Sequence, residues 1–222
     1  MPELPEVESA CRELAPHVAG RRIVGIERLS HPPMVESPAI EAFEGAIVGR
    51  AIAGVRRRAK WILLGLDAGL TLAIHLRMTG DVSVVPAEAE LDKHTHLSLM
   101  LDDGRRLVFR DPRKFGKLRL LDATGLAALE AAHGPEPLSA AFTPAVLAAA
   151  LAGKGGRLKP LLLDQKRLAG VGNIYADEAL FEAGVHPLRA PGSLSEEEVE
   201  ALHRAIREVL ERAIARTGPW RY

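Results

Sequence analysis

The sequence predicts an α+β protein in which a β-rich N-terminal domain, led by one helix, precedes an all-helical domain. Three observations support this class. Residues 3–19 read as a helix that ends at Gly20. Residues 21–121 then form short apolar or alternating segments typical of strands, with a hairpin signal at Asp103-Gly104. After Leu121 the apolar residues recur at helical spacing.

Each element follows from these patterns. The segments expected to be strands are Ile23–Leu29, Ala51–Leu66, Leu70–Leu76, His96–Leu101 and Arg106–Arg110. Pro32-Pro33 and Pro86–Asp92 are expected to be loops. The segments expected to be helices are Ala123–Ala132, Pro144–Leu151, Pro160–Asp164, Ile174–Ala183 and Ser195–Arg216.

Two local signals organise the helical half. Ser195 followed by Glu198 is a capping box, which marks the start of the last helix. Gly134-Pro135-Glu136-Pro137 is a natural hinge between the two halves. The sequence therefore predicts an N-terminal domain over residues 1–133 and a second domain over residues 134–222.

Composition narrows the class of protein. With 222 residues, 47% of them hydrophobic and 4% aromatic, the chain has enough Leu, Val, Ile and Ala for a real core. It contains no apolar run of about 18 residues and no basic segment leading into an apolar one, so we expect neither a membrane span nor a signal peptide. Cys11 is the single cysteine, which excludes an internal disulfide and a cysteine-based zinc site. We therefore expect a cytoplasmic protein.

The basic residues are concentrated in three segments although the net charge is zero. Each segment holds at most one acid, and three such clusters in a neutral protein indicate one face that binds a polyanion. Any one cluster is also compatible with solvated strand edges. The clusters are Arg50, Arg56, Arg57, Arg58 and Lys60; Arg105, Arg106, Arg110, Arg113, Lys114, Lys117 and Arg119; and Lys154, Arg157, Lys159, Lys166 and Arg167.

The residues after Met1 carry the clearest chemical signal. If Met1 is removed, Pro2 has a free secondary amine, and Glu3 follows it directly. An α-amino group titrates near about pH 8, so a useful fraction is neutral and nucleophilic at physiological pH. Such amines form Schiff bases with carbonyl and aldehyde-sugar carbons, and an adjacent carboxylate can move the protons. The alternative is that Pro2 and Glu3 only open a helix.

Two segments contain residues suited to probing DNA. Asp111-Pro112 precedes Arg113-Lys114-Phe115-Gly116, and because the proline ends the preceding strand, we expect this tetrapeptide to lie on an exposed turn. An exposed aromatic ring can wedge between bases while the arginine fills the space of a flipped nucleotide. Met78, beside Gly80 at the end of another strand, is a candidate second wedge. The alternative is that Met78 and Phe115 are core residues.

The helical half contains one weaker motif. Gly170-Val171-Gly172-Asn173 precedes a predicted helix, and glycines there let backbone N–H groups approach a phosphate closely. We expect Asn173 to cap that helix and to donate to a phosphate. An ordinary turn between helices is the alternative. Lys159-Pro160 precedes another helix of this half.

Seven motifs follow one another along almost the whole chain: Pro2-Glu3-Leu4-Pro5-Glu6-Val7-Glu8, Arg57-Arg58-Ala59-Lys60, His75-Leu76 with Met78 and Gly80, Lys93-His94-x-His96, Asp111-Pro112-Arg113-Lys114-Phe115-Gly116, Gly134-Pro135-Glu136-Pro137-Leu138, and Gly172-Asn173-Ile174-Tyr175. Together they resemble the formamidopyrimidine-DNA glycosylases and their endonuclease VIII relatives. The resemblance implies a β-sandwich joined to a helix–two-turn–helix domain, with double-stranded damaged DNA bound between them by a monomer. It implies excision of oxidised purines and then strand cleavage by elimination at the abasic sugar.

The resemblance also assigns roles to individual residues. Pro2 is similar to the Schiff-base nucleophile and Glu3 to its acid/base, with Lys60 as a lysine of the active site. Glu6 and Glu178 are similar to supporting carboxylates of the pocket. The residues to which the resemblance assigns DNA contacts are Lys60, His75, Met78, His94, Arg113, Phe115, Lys159, Asn173 and Tyr175.

Met78, Arg113 and Phe115 look like the trio that fills the gap left by a flipped nucleotide. Their combination from two segments favours the formamidopyrimidine branch. The endonuclease VIII branch is similar at Pro2 and Glu3 but usually fills the gap from one loop. An endonuclease VIII-like activity on oxidised pyrimidines is therefore the alternative within the family.

Two features depart from the family's pattern. Arg77 stands where the family usually has glycine before the methionine, which adds a DNA contact or restricts the turn. The family normally continues into a lesion-capping loop and a zinc finger with four cysteines, whereas this chain has one cysteine and ends at Tyr222. We therefore expect a truncated chain with no metal site and no cofactor of its own, active but with weakened DNA binding. The alternative is a variant that naturally lacks the finger and compensates for it elsewhere.

Two further hypotheses do not involve catalysis on damaged DNA. One is a DNA-binding protein of the same fold that has lost turnover because its grip on the substrate is truncated. The state of Pro2 discriminates it, since a retained Met1 or a tag blocks the nucleophile and leaves only binding. The other is an unrelated amine-nucleophile enzyme that acts on small carbonyl compounds, with the basic clusters as ordinary surface. Salt-sensitive binding to duplex DNA would exclude the second.

Overall fold

The computed structural model describes residues 1–152 and 156–216, so Lys154 and the C-terminal segment 217–222 lie outside the described part of the chain. The chain divides into two compact units. The first comprises Met1–Pro2 and Glu6–Ala128, and the second comprises Glu3–Pro5 and the described residues from Leu129 onward. Residues 3–5 therefore belong to the helical unit although they are N-terminal in sequence.

The first unit contains one long helix, one short helix and nine strands in two sheets. One sheet has the strand order β1-β7-β8-β6, and the other has the order β2-β9-β5-β4-β3. All the strand pairs are antiparallel except β2 with β9, which is parallel. The elements are α1 (Leu4–Val18), β1 (Ile23–Leu29), β2 (Val35–Ser37), α2 (Ile40–Ile47), β3 (Ile52–Arg58), β4 (Trp61–Leu66), β5 (Thr71–His75), β6 (Asp81–Val85), β7 (Thr95–Leu101), β8 (Arg106–Arg110) and β9 (Lys117–Leu121).

The two sheets and α1 enclose one aliphatic core. Residues such as Leu99 from one sheet, Leu72 from the other and Leu14 from α1 belong to the same buried cluster, with Phe43 from α2 beside them. The sheets therefore form a β-sandwich. Cys11 lies in this core, and burial raises the pKa of its thiol to about 12, so the thiol is not a nucleophile near neutral pH.

The second unit is helical and has its own core, to which Leu4 contributes from the N-terminal segment. The predicted capping box is present: Ser195 Oγ accepts from the Glu198 amide at 3.2 Å, and the Glu198 carboxylate accepts from the Ser195 amide at 2.9 Å. The connecting helix α3 (Ala123–Ala131) leads to α4 (Pro144–Leu151), α5 (Leu158–Leu163), α6 (Asn173–Glu182) and α7 (Glu196–Arg216). Within the described ranges, none of these helices is both long and apolar enough to cross a membrane.

One local prediction was wrong, and the elements α2, β2, β6 and β9 were not among the predicted segments. The segment Ala51–Leu66 is not one strand but the hairpin of β3 and β4, which turns at Ala59 with a backbone φ of 50°. No glycine, asparagine or aspartate marks that turn, so the sequence pattern did not reveal it. Helix α2 was also missed, because Ala39 at its N-cap makes no side-chain capping bond that would signal a helix start.

Candidate active site

Pro2 and Glu3 lie immediately before α1, which begins at Leu4. Both are buried, and Glu3 is 2% exposed. Because α1 has its own first-turn acid in Glu6, Glu3 is not needed to complement that helix. The interpretation that Glu3 only opens α1 is therefore wrong, since its carboxylate serves a different helix.

The Glu3 carboxylate lies at the N-terminus of α6. Its Oε2 accepts hydrogen bonds from the amides of Gly172 at 2.8 Å and Tyr175 at 3.4 Å, and its Oε1 accepts one from the amide of Ile174 at 3.0 Å. The first amides of a helix have no partner within the helix and favour an anion. Three backbone donors thus hold one buried carboxylate in a single orientation.

Two glycines allow this close approach. A Cβ on Gly172 would lie 2.3 Å from Cδ of Glu3, which no side chain can tolerate. Gly170 has a φ of +80°, and a Cβ there would lie 2.8 Å from the Leu4 side chain. The Leu4 amide also donates to the Gly170 carbonyl at 3.0 Å. The Gly-x-Gly segment is therefore shaped to receive residues 3 and 4.

This arrangement corrects the sequence interpretation of the glycine motif. The amides expected to bind a phosphate bind the Glu3 carboxylate instead. Gly172 is the N-cap of α6, and Asn173 is the first helical residue, exposed and without a capping bond. Lys159 is half-buried and pairs through Nζ with Asp177 of α6 at 2.7 Å. Asn173 and Lys159 are thus both associated with the N-terminal half of α6.

A cavity of about 300 Å³ opens between α6 and α7. Glu178 and Tyr175 line it from α6, and Arg212 lines it from α7. Arg212 is held by Glu182 at 2.6 Å. Glu178 is exposed, so its carboxylate faces solvent at a concave surface of the second unit.

Lys60 and Glu6 are charged residues buried in the first unit, 6% and 7% exposed respectively. Lys60 lies in the turn between β3 and β4, directly after Ala59. A lysine or a glutamate is seldom buried to this extent unless it is paired or functional. Their burial is the feature that sets both apart from ordinary surface charges.

The turn after β5 presents Met78 and Arg77 to solvent. Met78 is 37% exposed, so it is not a core residue. Arg77 is exposed and has a φ of 56°, a left-handed conformation that favours glycine. Its amide donates to Nδ1 of His75 at 3.0 Å, and the His75 ring packs edge-on against Trp61. His75 therefore stabilises the turn through its contacts with the Arg77 amide and the Trp61 ring.

The loop between β8 and β9 presents Arg113, Lys114 and Phe115. All three are exposed, and Phe115 is 47% exposed, as the exposed-turn interpretation requires. The Arg113 guanidinium lies 4.8 Å from the centre of the Phe115 ring, a cation–π contact. His94 is half-buried, and its carbonyl accepts from the Asp111 amide at 2.9 Å, which anchors the start of this loop.

The second basic cluster is not a uniform cationic surface. Five of its members are held by carboxylates at 2.6–3.2 Å: Arg105 by Asp103, Arg106 by Glu27, Arg110 by Asp92, and Lys117 and Arg119 by Glu36. Arg113 and Lys114 make no such pair within the part of the chain that the structure describes. The cations available to a polyanion in this cluster are therefore those beside Phe115.

The described residues contain no group of three or more His, Cys, Asp or Glu side chains placed to hold a metal ion. The buried Cys11 lies in the sandwich core rather than at a candidate site. The residues present thus do not fit the structural zinc of the family's finger.

Comparison with protein families identifies the chain. Residues 1–118 match the formamidopyrimidine-DNA glycosylase N-terminal domain, and residues 133–219 match the H2TH (helix–two-turn–helix) domain of formamidopyrimidine-DNA glycosylase. A formamidopyrimidine-DNA glycosylase from Roseiflexus sp. (strain RS-1) is 58% identical over 218 residues, which cover 98% of this chain and 80% of that protein. The chain belongs to the formamidopyrimidine-DNA glycosylase family.

Solved structures agree with this assignment. The formamidopyrimidine-DNA glycosylase of Lactococcus lactis bound to DNA with an AP site matches with a TM-score of 0.88 at 34% identity, over 96% of this chain and 82% of that one. The same protein with DNA containing Fapy-dG matches with a TM-score of 0.89 at 34% identity, over 96% of this chain and 80% of that one. The family resemblance and the α+β class predicted from the sequence are both confirmed.

Proposed function

We propose that this protein is a bifunctional DNA glycosylase that removes oxidised purines and then cleaves the strand at the abasic site. The observation that carries the proposal is the buried Glu3 carboxylate, fixed by three backbone amides and adjacent in sequence to Pro2. Residues 1–133 would form the catalytic domain and residues 134–222 the DNA-binding domain. The partner would be damaged duplex DNA. This is supported by the related Lactococcus lactis structures, which are complexes with DNA that contains an AP site or Fapy-dG.

The chemistry begins once Met1 is removed and the Pro2 nitrogen is a free secondary amine. Its lone pair attacks C1′ of the damaged nucleotide, and the bond from C1′ to the base breaks as the base leaves with a proton. Opening of the sugar ring gives an iminium between Pro2 and C1′. A general base of the protein then removes the C2′ proton. The electron pair flows into the iminium, which acts as the electron sink, and the 3′-phosphate is expelled.

Glu3 is the group we assign to proton transfer in these steps. A positioned acid or base must lie within hydrogen-bonding reach of the proton that it moves. The amides of α6 fix the Glu3 carboxylate in one orientation beside Pro2 in the sequence. Lys60 and Glu6 are proposed as further charged groups of the pocket, which is consistent with their burial.

Met78, Arg113 and Phe115 are proposed to fill the gap that the flipped nucleotide leaves. Extruding a base costs a few kcal/mol, and apolar wedges inserted between base steps stabilise the distorted duplex. The exposure of Met78 and Phe115 on two separate loops supports this role and the oxidised-purine branch over the endonuclease VIII branch. His75, His94, Lys159, Asn173 and Tyr175 are proposed to contact or support the DNA, and Glu178 to line the pocket.

The proposed activity predicts cleavage of an end-labelled duplex that carries 8-oxoguanine opposite cytosine. Met1-processed protein is expected to nick the damaged strand without further treatment, because elimination follows base removal in the same site. Products are separated with and without hot alkali, and the undamaged duplex is the control. Breaks that appear only after alkali would show base removal without lyase activity. Salt-sensitive binding with no breaks would favour the non-catalytic alternative, and the absence of binding would contradict the proposal.

Arg77→Gly is expected to stabilise the fold and to weaken DNA binding. Glycine adopts a positive φ without strain, so the free energy of unfolding should rise by about 1 kcal/mol. If the exposed guanidinium contacts a phosphate, its loss should reduce the slope of log affinity against log salt by about 0.9. Urea unfolding and fluorescence anisotropy with a lesion duplex at several salt concentrations measure the two effects.

Arg77→Lys is the matched control, because it keeps the charge and the strained backbone. Its stability and salt slope should stay near those of the parent protein. An unchanged salt slope in Arg77→Gly, with stability raised, would show that Arg77 restricts the turn without contacting DNA.

A further inference from the structure

The two loops that carry the exposed residues Met78 and Phe115 share one buried support. The first is the turn over residues 76–80, after β5, and the second is the loop over residues 111–116, between β8 and β9. They lie about thirty residues apart in sequence, as the 32-residue separation of Thr79 and Asp111 shows. The contacts beneath them are nevertheless made by the same two side chains, Asp111 and Phe109.

Asp111 is fully buried and binds both loops. Its Oδ1 accepts from Thr79 Oγ1 at 2.5 Å and from the Arg113 amide at 3.2 Å, and its Oδ2 accepts from the Gly116 amide at 2.7 Å. One carboxylate therefore closes the Arg113–Phe115 loop at both ends and reaches across to the Met78 turn. Hydrogen bonds to a buried carboxylate are among the stronger ones in proteins.

The main chain of Asp111 is fixed as well. Its carbonyl accepts from the Lys114 amide at 3.1 Å and lies 3.1 Å from Nε2 of the buried His96. Because a carbonyl can only accept, Nε2 of His96 carries the proton in that hydrogen bond. Burial lowers the pKa of His96 and so favours the neutral ring, while the hydrogen bond to the Asp111 carbonyl acts in the opposite direction. Asp111 is thus held from the sandwich side while its side chain holds the loops.

The Phe109 ring is the second shared contact. A Cβ on Gly80 would lie 2.9 Å from Cε2 of Phe109, and a Cβ on Gly116 would lie 2.3 Å from Cζ of the same ring. Both glycines are therefore required for their loops to lie against Phe109. Since the ring is buried, a shift of either loop disturbs packing that the other loop also uses.

We propose that Asp111 and Thr79 are positioning residues that couple the two loops, so that Met78 and the Arg113–Phe115 pair enter damaged DNA as one unit. The inference rests on the proposed function, because it concerns how that function's gap-filling residues act together. The Thr79–Asp111 hydrogen bond is the polar link between the loops, and it can be removed without changing the carboxylate.

The test is a double-mutant cycle measured in two backgrounds. Met78→Ala, Phe115→Ala and the double variant are compared by their dissociation constants for a duplex that contains a tetrahydrofuran abasic-site analogue. If the loops are coupled, removing one wedge side chain also reduces the contribution of the other to DNA affinity. The double variant should then bind about fivefold more tightly than the product of the single losses predicts. In the Thr79→Val background the losses should become multiplicative.

Two controls separate coupling from general destabilisation. Thr79→Ser keeps the hydroxyl and should preserve the fivefold term. Thr143→Val removes the hydroxyl that accepts from the Val146 amide at the start of α4, so it should lower stability in thermal unfolding while leaving the coupling intact. Coupling that persists in Thr79→Val, or its absence in the parent protein, would overturn the inference. If the parent protein does not bind the abasic duplex, the proposed function itself fails and the inference falls with it.

Discussion

Replacing Glu3 with glutamine is expected to reduce base removal and strand cleavage by at least about a hundredfold, the usual contribution of a positioned acid or base. Oε2 accepts two amide hydrogen bonds and Oε1 accepts one. A glutamine can present an acceptor on one side only, so its NH2 must face an amide donor of α6. The variant therefore loses both the carboxylate and the orientation that the helix gives it.

Single-turnover rates of base release and strand cleavage measure this effect, with thermal unfolding recorded for the same samples. Glu3→Gln should also lower the free energy of unfolding, by about 1–3 kcal/mol, because a buried donor loses its acceptor. Glu27→Gln is the matched control: it breaks an ion pair with Arg106 in the first sheet and should leave the chemistry unchanged. Rates within a few fold of the parent protein in Glu3→Gln would contradict the role assigned to this carboxylate.

Pro2→Gly is expected to reduce strand cleavage by a similar or larger factor. A secondary amine forms an iminium that has no N–H to lose, so the adduct carries a full positive charge when the C2′ proton leaves and accepts that electron pair without prior protonation. A glycine amine forms an imine, which is an equally good electron sink only when protonated, and glycine lacks the ring that fixes φ. Cleavage time courses on a duplex with a preformed abasic site isolate this step from base removal.

A protein that keeps Met1 supplies the stricter comparison. Its Pro2 nitrogen is an amide and cannot act as a nucleophile, so lyase activity should be absent while binding to the abasic duplex persists. Strand cleavage by the Met1-retaining protein at the rate of the processed one would contradict the N-terminal mechanism.

Local signals predicted much of the fold. The Ser195 capping box and the Asp103-Gly104 hairpin each rest on residues close in sequence, and both are present. The hairpin between β3 and β4 escaped prediction because Ala59 adopts a positive φ without a turn-forming residue type. The parallel pairing of β2 with β9 joins segments about eighty residues apart, and no local pattern encodes such a pairing.

In the candidate site, too, the sequence identified individual residues but not the contacts between residues that are distant in sequence. The motifs identified Glu3 and Gly172 separately, but they are 169 residues apart, and the pattern alone assigned the glycine amides to a phosphate. Asp111 entered the sequence analysis only as the first residue of the Asp111–Gly116 motif and was given no role there, whereas the role proposed for it depends on Thr79 of another loop. Arg77 stood out because the family usually has glycine at this position. The left-handed backbone of Arg77 explains the family's preference, because glycine adopts a positive φ without strain.

The central claim is tested most directly by trapping the covalent intermediate. Met1-processed protein is incubated with a duplex carrying 8-oxoguanine opposite cytosine, borohydride is added, and the protein–DNA adduct is digested and mapped by mass spectrometry. The account predicts an adduct on the N-terminal peptide, attached at Pro2, that is sharply reduced in Pro2→Gly. An adduct that maps to a lysine such as Lys60, or no adduct from protein that nicks the duplex, would contradict it.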